Sequence, residues 1–253
     1  MQSLFDFLCC IPTGPITITF MNRPNKIVLE HRDLTPTQFA EKAHRLLREA
    51  CRSGPSGGTP TYEKLKASLD NARGNTMHYL FTDGVPNSGP EQVAQLILNR
   101  ARPKQNPISL VSCTDVDAEC EWMKEIEEDA PYVSETDDYV AERKEVIHDQ
   151  GPAFPYSKGL WLLCLLVGAI NPYDLDALDD SKPLSKFTLD NIMGRTLTIE
   201  EYKVYWNAHP KHSEYSSYFN RLSTESTHTE QIIGKRSVGA LSSISARFKA
   251  YGF

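Results

Sequence analysis

No apolar run in this chain approaches the ~20 residues that a helix needs to cross a bilayer. The longest, GLWLLCLLVGAI at 159–170, reads instead as a buried helix. The start, MQSLFDFLCCIP, carries Asp6 and has neither a basic lead nor a small-residue cleavage site, so it does not read as a signal peptide. Cysteine is scarce and unpatterned: Cys9, Cys10, Cys51, Cys113, Cys120 and Cys164 form no CxxC pair, and no histidine stands at zinc-finger spacing from them. That excludes a disulfide framework and points to reduced thiols in a cytoplasmic setting. A basic excess is lacking too. With 27 Lys and Arg against 33 Asp and Glu, the net charge of −6 argues against nucleic-acid binding as the main role. HExxH and paired Cys–His signatures are absent, which leaves enzyme chemistry with little support.

What is present is an alternation of short strands and helices. PITITF (15–20) is β-branched and reads as a strand, with KIVLE (26–30) its partner across NRPN. TPTQFAEKAHRLLREACR then sets Phe39, Ala43, Leu46, Leu47 and Ala50 on one helical face, with Pro36 in the first turn and Gly54 past the end. A glycine-rich loop leads into TYEKLKASLDNA, a helix with Leu65 and Leu69 four apart. MHYLFT (77–82) and PISLVSC (107–113) are strands of the buried kind, and PYVSE (131–135) is a last short one. Between and after them stand helical patterns at 90–102, at 115–130 with Trp122, Met123 and Ile126 inward, and at 137–150. The expected fold class is α/β: a doubly wound, mostly parallel sheet with a C-terminal helical extension.

Two segments stand out. CRSGPSGGTPTYEKL (51–65) packs glycines 54, 57 and 58 ahead of a helix N-terminus, where free amides favour oxygen-rich groups. MHYLFTDGVPNSG (77–89) runs a strand into an Asp–Gly turn, at the carboxyl end where such sheets bind ligands. The plain alternatives are a threonine N-cap and an ordinary turn. A phosphate loop is disfavoured, because GPSGGTPT lacks the lysine of GxxxxGK[ST] and follows a helix rather than a strand.

SGGTPTYEKL followed by HYLFTDGVPNSG resembles the second and third metal-site segments of a von Willebrand factor A (vWA) domain. The resemblance covers roughly residues 1–148 and implies an intracellular protein–protein interaction module. In that family a magnesium-type cation sits at the carboxyl edge of a doubly wound sheet, in a metal-ion-dependent adhesion site that a partner's carboxylate often completes. Carried over, Thr59 is the threonine ligand and Asp83 the aspartate that reaches the ion through water, with Gly57, Gly58 and Gly84 supporting the loops. Both residue types suit a hard, oxygen-seeking ion. The family's first segment, Asp-x-Ser-x-Ser, occurs nowhere in the 253 residues. By pattern, its strand and three oxygen ligands would lie before Met1, so the site is expected to be degenerate or incomplete. Two protein ligands of about six are few for magnesium, and weak or no binding is expected from this chain alone.

Beyond residue 148 nothing is carried over from the family. Residues 152–210 read as a helical extension with Ser or Thr caps, and 211–253 as a Ser/Thr-rich basic tail expected to be disordered in isolation. Asp174, Asp176, Asp179 and Asp180 invite a calcium site but miss EF-hand spacing, and a solvated helix or turn suits them better. His44 and His78 fall within elements and are expected to be partly buried. A second functional reading is a hydrolase or transferase site between sheet and extension, drawing on His148, Cys164 or the Asp174–Asp180 cluster.

Overall fold

The computed structural model describes residues 1–11, 13–54, 56–114, 116–170, 172, 175, 178 and 181–224. The Asp174–Asp180 cluster and the tail from 225 onward lie outside the described residues. The fold is mixed α/β, with a two-stranded antiparallel sheet and a three-stranded parallel one. It divides into two compact units, Met1–Asn71 with Gly84–Asn99, and Ala72–Asp83 with Arg100 onward.

The first unit opens with α1 (Gln2–Leu8). Strands β1 (Ile16–Thr19) and β2 (Lys26–Leu29) follow, paired antiparallel from Ile16 opposite Leu29 to Thr19 opposite Lys26. Helix α2 (Pro36–Cys51) starts on a capping box: the Gln38 amide donates to Thr35 Oγ1 while the Thr35 amide donates to Gln38 Oε1. Its apolar stripe buries Phe39, Ala43 and Leu47, and Phe39 stacks on the His31 ring with centroids 4.0 Å apart. Helices α3 (Thr61–Asp70) and α4 (Pro90–Leu98) pack on each other. Leu29, Phe39, Ala43, Val93 and Ile97 have no exposed surface, so β2, α2 and α4 each contribute a fully enclosed apolar side chain, and α3 contributes the equally enclosed Thr61.

The second unit is built on parallel strands β3 (His78–Thr82), β4 (Ile108–Ser112) and β5 (Val133–Thr136), in the order β3-β4-β5. Every residue of β4 is buried, as befits a strand paired on both edges and covered on both faces. The amino-terminal ends of β4 and β5 are clasped by Arg100, buried to 7% exposure. Its guanidinium donates to the carbonyls of Asn106, Pro131 and Tyr132, which holds the positive-φ turn at Tyr132 in place. Helix α5 (Asp117–Asp129) turns Trp122, Met123 and Ile126 inward, as its spacing predicts.

Helix α6 (Tyr139–Gln150) starts on the Asp138 carboxylate, which accepts from the amides of Val140 and Ala141. Helix α7 (Lys158–Gly168) is the 159–170 apolar run, and seven consecutive residues, Leu162–Gly168, are buried. A helix apolar all round belongs in a core. It lies against β4 and β5, and Gly168 permits that approach: a Cβ there would stand 2.6 Å from Ser134 Oγ. Among the described residues no helix is long and apolar enough to cross a membrane.

Helices α8 (Lys186–Met193) and α9 (Ile199–Ala208) carry the expected Ser185 and Thr198 caps, the latter in a capping box with Glu201. Part of the expected tail differs from its sequence reading. Residues Phe219–Thr224 form α10, Leu222 is fully buried, and the Phe219 ring stacks on Tyr202 at 5.9 Å. The Phe219 ring meets Tyr202 and Trp206 on α9, an aromatic face that composition alone does not disclose.

Candidate functional site

In the first unit the hairpin turn between β1 and β2 holds the glycine loop. Arg23 donates to the Gly54 carbonyl at 2.7 Å, and the Asn22 side-chain amide donates to the Gly58 carbonyl at 2.6 Å. From the other side, Asn87 Oδ1 accepts from the Thr59 amide at 2.8 Å, and the Asn87 amide donates to the Thr59 carbonyl at 2.9 Å. Arg23 therefore holds Gly54, and two asparagines clamp Gly58 and Thr59. They also explain two of the glycines. A Cβ on Gly58 would meet the Asn87 amide at 2.6 Å; one on Gly57, whose φ is +89°, would meet Asn22 at 2.8 Å.

Thr59 does not cap α3. The N-cap is Pro60, and no side chain caps the helix there. The Thr59 hydroxyl instead lies toward Gly84, with Oγ1 at 3.9 Å from where a Gly84 Cβ would stand. Close by in sequence, Thr61 Oγ1 and Ser88 Oγ are enclosed without a hydrogen-bond partner. The sequence reading singled out neither residue, and a threonine opening a helix gives no signal of that kind.

In the second unit Asp83 directly follows β3, at the carboxyl end of the parallel sheet, and the chain passes to the first unit at the next residue, Gly84. The corresponding ends of β4 and β5 carry Cys113 and Asp137. Cys113 is exposed as a residue, but desolvation at its sulfur raises the thiol above its ordinary value, and the charges of Asp83 and Asp138 add to that. This rim is acidic, and Lys124 answers it, with Nζ 3.1 Å from Asp137 and 3.5 Å from Glu145. Burial disfavours the Lys124 cation, but its bond to Asp137 and the surrounding carboxylates outweigh that and hold the amine above its ordinary value.

Behind β5 lies a cavity of about 40 Å³ lined by Glu127, Ser134, Glu135, Glu142 and Cys164 among others. It has room for a water or two and is far below the ~300 Å³ at which small-molecule pockets begin. Ser134 Oγ and Glu135 Oε1 are enclosed without partners. Burial, and then the charges of Asp137 and Glu127, push the Glu135 carboxyl up to about 9. Cys164 is buried in α7, whereas His148 is exposed on α6, with Nδ1 3.1 Å from Asp149. His78 is 5% exposed on β3, and burial holds its imidazole below the ordinary value. His44 pairs with Asp6 at 2.9 Å. Among the described residues, no three His, Cys, Asp or Glu side chains gather where they could hold a metal ion.

No family model matches the chain, and neither a curated protein nor a solved structure matches it.

Proposed function

We propose that this chain is a protein-recognition module of the vWA type, doubly wound, with a degenerate metal-ion-dependent adhesion site that uses Thr59 and Asp83. The observation that supports this best is the setting of Thr59. Its backbone is clamped by Asn87 and its hydroxyl is turned toward Gly84 instead of capping α3, although a threonine ahead of a helix ordinarily serves the cap. The position of Asp83 at a carboxyl strand end is where sheets of this class bind ligands. A hydroxyl and a carboxylate are both donors for a magnesium-type ion, which keeps several waters and accepts a further carboxylate from a protein partner.

With so few protein ligands, affinity for magnesium is weak, and millimolar ion is needed for an effect. Thermal melts of the full chain with magnesium should show a higher Tm than melts in chelator. Asp83→Ala and Thr59→Ala should each remove the difference while leaving the Tm in chelator within a degree or two. A wild-type melt that ignores magnesium at every concentration, or a shift that survives both substitutions, would sink the metal-dependent part of the proposal.

A further inference from the structure

Cys9 and Cys10 close helix α1, and their Sγ atoms stand 3.6 Å apart. Adjacent residues on a helix normally point in different directions. Here the helix end brings the two thiols into contact, and both are half-buried, so they remain within reach of small molecules. The backbone beneath them is held. The amides of Cys9, Cys10 and Ile11 donate to the carbonyls of Phe5, Phe7 and Leu8, and Cys9 keeps helical angles of −62° and −22°. Cys9 Sγ also donates to the Asp6 carbonyl at 3.0 Å.

We propose that Cys9 and Cys10 form a two-thiol chelating site for a soft, thiophilic centre of the trivalent-arsenic class. A disulfide needs its sulfurs ~2.05 Å apart, so closing the pair directly would bend a hydrogen-bonded helix end. A bridging atom larger than carbon spans the existing gap with little movement. Burial, the hydrogen bond to Cys10 and the nearby charges push the Cys9 thiol up to about 12, so steps that need its thiolate are slow at neutral pH. Chelation of an arsenoxide requires no oxidant. Two S–H bonds and the arsenic–oxygen bonds break, two arsenic–sulfur bonds form, and both thiol protons leave with the oxide oxygen as one water. Arsenic stays trivalent throughout. Soft ligands of this kind select soft centres, and two donors on one rigid turn bind with a chelate advantage of ~100-fold or more over one donor.

The probe is phenylarsine oxide, added in equimolar amount to the reduced full-length chain and read by intact mass and peptide mapping. The expected result is one phenylarsenic unit per chain, bridging residues 9 and 10, stable to excess monothiol and released by a dithiol. Cys9→Ser and Cys10→Ser should each lose the monothiol-resistant adduct, whereas Cys113→Ser keeps it. An adduct that maps elsewhere in the wild-type chain, or none that resists monothiol, overturns the proposal without reference to any variant.

Discussion

Glu135 shows how a single residue sets a pH dependence. Its carboxyl sits at about 9 in the fold against an ordinary value near 4.5, because burial and neighbouring carboxylates disfavour its charge. Below 4.5 the group is neutral whether the chain is folded or not, and it costs nothing. Between 4.5 and 9 the unfolded chain releases a proton that the folded chain retains, so stability falls as pH rises through that window. Above 9 both states are charged and the loss levels off. Glu135→Gln removes this slope. Its Tm should exceed the wild-type value at pH 8 and match it near pH 4, and equal displacement at both values would refute the assignment. The alternation of side chains in PYVSE is too short to show that one carboxylate is enclosed behind β5 while Glu127 and Glu142 on two helices converge beside it.

Single elements were largely legible. The β1–β2 pair, the buried strands β3 and β4, and the inward stripes of α2 and α5 follow from alternation, apolar runs and 3.6-residue spacing. The caps of α8 and α9 follow from serine or threonine ahead of a helical pattern. What joins elements was not legible. The Tyr205 hydroxyl on α9 donates to Gln150 Oε1 at the end of α6 and accepts from the Leu184 amide, while Gln150 donates to the Leu178 and Lys182 carbonyls. The five residues span 55 positions, and no local pattern pairs them. Gly151 stands beside this junction with φ at +88°, and a Cβ there would meet the Ala208 carbonyl oxygen at 2.5 Å. Tyr205→Phe keeps the ring but removes both bonds in a buried setting. It should cost about 2 kcal/mol, read as a lower urea midpoint with an unchanged slope. A loss within error would show that the network carries no net stability.

At the scale of the whole molecule, thiol accessibility offers a simple check. All six cysteines are reduced thiols; Cys51 and Cys113 are exposed, whereas Cys120 and Cys164 are buried in α5 and α7. Native titration with Ellman's reagent should modify the exposed Cys51 and Cys113 first and reach Cys120 and Cys164 only on unfolding. Rapid modification of all six in the native chain would contradict the core described above. The sequence by itself determined the order of strands and helices, the glycine-rich loop and the Asp–Gly turn, because each is written in local spacing and in residues with restricted backbones. Only the tertiary structure decided that Asn22 and Asn87 clamp the Thr59 loop, that Cys9 and Cys10 meet, and that Phe219 and Leu222 pack instead of trailing in the tail. Those facts depend on contacts between residues distant along the chain, or on how a helix ends, and neither is carried by periodicity.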